Sequence, residues 1–135
     1  MREIKFRGMP IENYGDTKWL YGSAIIGYED KLAYIEANYQ GCIPVKWGTV
    51  SQYTGLKDSK GNEIYEGDIV STDLSRPFLI VEFRNGAFMY QCHDNGQDYY
   101  DHMEPAFSVS VELTKYHKII GNIYENQEIL KGDEK

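Results

Sequence analysis

The sequence predicts a mainly β fold. Three observations carry that expectation. Apolar and polar residues alternate with a period of two in several runs, the pattern of a strand with one buried face. Gly, Asn and Asp punctuate the runs at turn spacings. Tyrosine, which favours strands, supplies 12 of the aromatics in a chain that is 14% aromatic. At 135 residues the chain can build a core without disulfide or metal staples, as one compact domain or as one with a second small lobe.

The elements follow in chain order. Residues 3–7 alternate, with Ile4 and Phe6 expected inside and Glu3, Lys5 and Arg7 outside. Further strands are expected over 18–26, 31–37 and 42–47; Tyr34, Ile35 and the flanking turns favour strand over helix in the second of these. Asp58-Ser59-Lys60-Gly61-Asn62 reads as a turn, because Asp58 can bond its own downstream amides. Strands are then expected over 68–73, 78–84, 87–92, 107–113 and 118–124. Asn85-Gly86 should join 78–84 to 87–92 as a tight hairpin, since Asn-Gly tolerates the positive φ of a type I′ turn. The polar stretch 94–106, with Gly96 and Pro105, reads as a long loop. Asn126 as N-cap and Gly132 as terminator mark a short C-terminal helix. A division near residue 62 would give a β-rich part over 1–62 and a second part over 63–135. The five short strands of the second part, with one tight hairpin, match a small SH3-like barrel.

Charge is unevenly placed. The net charge is -7; residues 1–62 carry 8 basic and 7 acidic groups, and residues 63–135 carry 6 and 14. So acidic a C-terminal part repels phosphate backbones. The longest strongly apolar run, Phe78 to Val81, is far too short to span a bilayer as a helix. Met1 to Lys5 lacks the apolar run of a secretory signal, so the cytoplasm is the expected location. Cys42 and Cys92 are too few for a disulfide framework or a four-ligand zinc site, and are expected as buried thiols.

Three blocks in order resemble the YopX family. They are Gln52 through Asp58 continuing from Lys60 to Val70, then Ile119-Ile120-Gly121-Asn122-Ile123-Tyr124-Glu125-Asn126, and the opening Ile4-Lys5-Phe6-Arg7 followed by Trp19-Leu20-Tyr21-Gly22. The resemblance spans roughly residues 2–130 and is not traced through 71–118. It implies a small protein of bacteriophage or prophage origin, working in the host cytoplasm. It also implies an SH3-like barrel in the C-terminal half preceded by a more irregular N-terminal part. It brings no catalytic residues. Tyr53, Gly55, Asp58, Gly61, Tyr65, Gly67, Asp68, Gly121, Asn122 and Tyr124 are its motif positions. Their chemistry is that of a framework: glycines where a Cβ would clash, aspartates that capture local amides, and tyrosines with a large apolar face.

Chemistry-bearing clusters are few. Cys92, His93, Asp94, Asp98, Asp101, His102 and Glu104 crowd into thirteen residues, and His93, Asp98 and His102 would be the ligands of any metal-dependent enzyme built there. Their spacing fits no strong metal motif. Asp58 to Asn62 is not a calcium loop, because Lys60 stands where an acid is needed. No nucleophile elbow or P-loop occurs, and neither a cofactor nor catalysis is expected. Lys5, Arg7, Lys18 and Lys46, beside Trp19 and Trp47, are the only plausible nucleic-acid face, combining stacking with phosphate neutralisation. Against the net charge that reading is the weaker one. The leading expectation is a non-catalytic module that binds a protein partner or itself. Trp19, Tyr21, Trp47, Tyr53, Tyr99 and Tyr100 are its contact candidates, since Tyr and Trp are enriched at interfaces.

Overall fold

The computed structural model describes residues 3–12, 15–37, 40–72, 78–84, 86–94, 97–102 and 117–128, with the backbone alone for 72, 92–94, 97–99, 101, 102 and 117. Among these, eleven strands and one 3-10 turn form two antiparallel sheets, so the mainly β expectation holds. No helix among the described residues is long and apolar enough to cross a membrane. The chain divides into two compact units, Met1–Gly55 and Leu56–Lys135.

The first unit holds β1 (Phe6–Gly8), β2 (Leu20–Gly27), β3 (Leu32–Ala37), β4 (Gly41–Val45) and most of β5 (Ser51–Lys57). Its strands run in the order β4-β3-β2-β1-β5. Alternation decides the faces. Leu20, Ala33, Ile35, Ala37, Ile43 and Val45 form one buried cluster, with Phe6, Ala24, Trp47 and Val50 packed against it. The segment after β1 folds onto the free edge of β4. Pro10 bridges Val45, the Lys46 amide donates to the Met9 carbonyl at 2.8 Å, and the Ile11 amide donates to the Pro44 carbonyl at 3.2 Å. Thr49 secures the 3-10 turn Trp47–Thr49. Its hydroxyl donates to the Lys46 carbonyl at 2.7 Å and accepts from the Met9 amide at 3.0 Å.

Two expectations for this unit are corrected. The N-terminal part is a regular sheet, not an irregular preamble, because β5, which the alternation does not reveal, pairs with β1. In addition, β1 starts at Phe6, leaving Ile4 67% exposed, while Arg7 is buried. Arg7 can be buried because its guanidinium lies 4.4 Å over the Trp19 ring, a cation–π contact that replaces part of the lost hydration.

The second unit holds the end of β5, then β6 (Glu63–Tyr65), β7 (Asp68–Thr72), β8 (Leu79–Arg84), β9 (Ala87–Asp94), β10 (Gln97–His102) and β11 (His117–Asn122). Its sheet runs β10-β9-β8-β7-β11. Ile64, Val70, Leu79, Val81 and Tyr90 make its core, with Leu56, Phe88 and Ile119 against it. The expected tight connection between 78–84 and 87–92 is consistent with the register: Arg84 pairs with Ala87 and Gly86 has φ +81°, while Asn85 lies outside the described residues.

The polar stretch 94–106 is not all loop. β10 occupies Gln97–His102 and pairs with β9 in unbroken register. Its two aspartates mask the strand signal, yet charges are normal on an edge strand, where they deter stray pairing. The SH3-like closure does not appear: the sheet is open, and no pairing joins β10 to β11 among the described residues. The expected strand 107–113 lies outside the described residues, as does the expected C-terminal helix beyond 128.

Motif residues tie this unit together. Asp58 Oδ1 accepts from the Lys60 and Asn62 amides, both at 2.9 Å, closing the turn that returns β5 to β6. Its Oδ2 accepts from the Ile119 amide at 3.0 Å, from β11. Burial alone would raise the pKa of this carboxyl. The hydrogen bonds from Ile119, Asn62 and Lys60 outweigh burial and hold it below the usual carboxylate value. Its stabilisation is therefore complete above the unfolded-state pKa near 3.8 and is lost as pH falls through the lower folded value. Replacing Asp58 with Ala should cost roughly 2–3 kcal/mol, the range for a hydrogen-bonded buried charge. Urea unfolding of wild type and variant measures this. The gap should be constant near neutral pH and shrink below about pH 4; a gap independent of pH down to full protonation would show that the carboxylate charge is not what acts.

Candidate functional site

Part of the exposed apolar surface of the first unit lies on the sheet face opposite its core. Register places its residues. Ile25 on β2 pairs with Tyr34 on β3, and Tyr34 pairs with Pro44 on β4, so one rung of three apolar side chains crosses three strands. Leu32 lies two residues along β3 on the same face, and Tyr21 and Ser23 continue it along β2. Tyr21 is 47% exposed, Ile25 53% and Leu32 49%. Glu36, paired with Ser23 and Cys42, is the one charged side chain of these strands on that face. Cys42 is an exposed free thiol, not the buried one expected. The alternation that buries Ile43 and Val45 turns Cys42 and Pro44 outward.

The six contact candidates separate. Tyr21 is exposed on this face. Tyr53 is only 5% exposed and its ring carries the Lys5 ammonium 5.4 Å from its centre, so it serves the fold. Trp19 is half-buried under Arg7. Trp47, also half-buried, packs on the core and meets the exposed Tyr28 edge to face, with ring centres 5.5 Å apart. Tyr100 accepts a hydrogen bond from Arg84 Nη1 at 3.1 Å, and the guanidinium lies 4.1 Å from its ring centre. The Tyr99 side chain lies outside the described residues. Sequence reasoning missed Ile25, Leu32 and Tyr34, which look like core residues until the register assigns them to the outer face.

Of the four cationic candidates only Arg7 is buried. Lys5 pairs with Glu3 at 2.9 Å, and Arg7 is buried against Trp19. Lys18 and Lys46 remain exposed. In the metal candidates, backbone register makes His93 and Asp98 direct partners but pairs His102 with Met89. His102 therefore sits four residues beyond Asp98, about 13 Å along the strand, whereas ligands to one ion must converge to about 2 Å from it. Glu104 lies outside the described residues.

The remaining motif positions form knots in the second unit. Asp68 Oδ2 accepts from the buried Tyr65 amide at 2.8 Å, and Tyr65 donates its hydroxyl to Glu63 at 3.2 Å. Asn122 Oδ1 accepts from the Tyr124 and Glu125 amides at 3.0 and 2.9 Å. Asn126 Oδ1 in turn accepts from the Asn122 amide at 3.1 Å. Between the knots, Gly67 donates to the Val81 carbonyl and accepts from the Ile123 amide, each at 2.8 Å. Gly67 has φ +84°, and a Cβ there would meet the Tyr124 ring at 2.9 Å. Both facts require glycine. At Gly121 a Cβ would meet Asn126 Oδ1 at 2.6 Å, breaking the second knot.

Such a chain is a mainly β protein built on two antiparallel sheets. It belongs to the YopX family: the family model described as YopX protein matches residues 8–131. No curated protein matches the chain. The crystal structure of protein EF1440 from Enterococcus faecalis is similar over 96% of this chain and 99% of that one, with 21% identity and a TM-score of 0.40.

The distinction between framework and surface tyrosines is measurable. Tyr53→Ala should destabilise the protein by roughly 3 kcal/mol, because a buried ring leaves a cavity. Tyr21→Ala should stay within about 0.5 kcal/mol of wild type. Equilibrium denaturation of the two variants checks this, and equal costs would erase the distinction.

Proposed function

We propose that this YopX-family protein is phage- or prophage-encoded, cytoplasmic and non-catalytic, and that it acts by binding protein through the outer face of β2, β3 and β4. The carrying observation is the outward rung of exposed Ile25, half-buried Tyr34 and exposed Pro44, flanked by exposed Leu32 and Tyr21. A soluble domain that leaves a contiguous apolar strip on a regular sheet exposes surface that a partner can dehydrate. The nucleic-acid alternative loses support, since Arg7 is buried and Lys5 is ion-paired.

The test is capture by the immobilised full chain from a bacterial lysate, with wild type and charge variants side by side. Ile25→Lys and Leu32→Lys should each lower recovery of a specific captured protein by at least about tenfold, because each buries an unpaired cation. Phe83→Lys, an exposed site in the other unit, should leave recovery unchanged. Recovery that survives both first variants and fails with the third would place the contact elsewhere.

A further inference from the structure

The charge and shape of the outer face of β2, β3 and β4 narrow what can cover it. Residues 1–55 carry six basic and six acidic groups, while residues 56–135 carry eight and fifteen. The outward rung lies in the neutral unit, and Glu36 is the one charged side chain on its three strands' outer face. A partner recruited by charge would be basic and would favour the acidic unit. The outer face selects instead for another uncharged, regular sheet face, with sheets stacking about 10 Å apart.

We infer that its occupant is a second copy of this chain, related by a two-fold axis along the Ile25–Tyr34–Pro44 rung. The inference rests on the reading above that this face binds protein. Symmetry makes the pairing self-consistent. Tyr34 sits at the centre of β3, with Leu32 two residues to one side and Glu36 two residues to the other. A rotation about the rung carries Glu36 to the Leu32 end of the facing strand. The two Glu36 carboxylates are thereby held about 13 Å apart along the strand direction, and no like charges meet. Isologous contacts need only one patch on each copy, the same on both.

Area sets the strength. Three strands 4.8 Å apart and six residues long offer a footprint of roughly 300 Å², against about 800 Å² per partner in a stable complex. The dimer is therefore weak and concentration-dependent. Two chains of net charge -7 also repel each other. Salt screens that repulsion without weakening an apolar contact, so added salt strengthens the dimer.

Sedimentation equilibrium of the full chain reads all three features. The average mass should climb from 15.6 kDa toward twice that value as concentration rises. The dimer fraction should increase between about 0.05 and about 0.5 M salt, a range over which the Debye length shortens roughly threefold. Ile25→Lys and Leu32→Glu should each weaken association by about tenfold or more, the first by burying unpaired cations at the rung and the second by setting a carboxylate against Glu36 of the facing copy. Both positions are exposed, so an unchanged melting curve will show that the variants fold. A mass of 15.6 kDa at every concentration overturns the inference. So does a dimer that both variants leave intact, or one that salt dissolves. If the chain stays monomeric while Ile25→Lys still abolishes capture of a different protein, the self-pairing fails and the binding face stands. If neither association nor capture responds, both fail.

Discussion

Asp58 holds together parts of the second unit that lie far apart in sequence. Its carboxylate closes the turn after β5 with one oxygen and reaches the Ile119 amide with the other, across 61 residues. Backbone donors near a buried carboxylate must be satisfied or the burial is costly, and here the demand of the turn and the demand of β11 meet on one side chain. With β11 anchored, Ile119 can join the core over Val70, and the Asn122 knot can form just beyond the strand. Gly67 then fits between β8 and the segment after β11, donating to one and accepting from the other. The motif residues thus make polar contacts that help set register, while apolar alternation sets the faces.

This division of labour explains where function is free to reside. Residues committed to capping and register cannot vary or move without cost, so their chemistry is used up in the fold. Asp58, Asp68 and Asn122 are acids or amides that could serve a site elsewhere, yet each is buried and fully engaged. In the first unit the opposite holds. The inner face of β2 to β4 carries the core, and Ile25 and Leu32 stand exposed on the outer face. Ile25 and Leu32 do nothing for the core, and a lysine or threonine would suit an exposed strand position better.

Legibility in the sequence follows the same physics. Local signals were readable: the tight connection between 78–84 and 87–92, the Asp58 turn and the strand over 31–37 all depend on neighbours in the chain. Nonlocal choices were not. Arg7 looks like an outward residue until Trp19 provides a ring to lie on, and Cys42 looks like a core thiol until the register of β4 turns it outward. β10 was hidden by its aspartates, although Asn95-Gly96 stands between Asp94 and Gln97 as Asn85-Gly86 stands between Arg84 and Ala87. The same dipeptide at the same spacing was the available signal. The candidate face was the least legible part. Ile25 and Ile26 are identical in composition, and only pairing with β3 distinguishes the outer one from its inner neighbour.

Charge segregation completes the physical picture. The net charge of -7 is carried by the second unit, and the first is balanced. An exposed apolar strip on a neutral unit would ordinarily invite indiscriminate aggregation. Covalent attachment to an acidic unit opposes that, because every additional chain brought to a cluster adds the same sign of charge. The repulsion grows with the number of chains, whereas one face can be covered only once. Together these constraints favour a single, limited contact over open-ended assembly. Under the proposed self-pairing, the acidic excess would thus limit association to one contact.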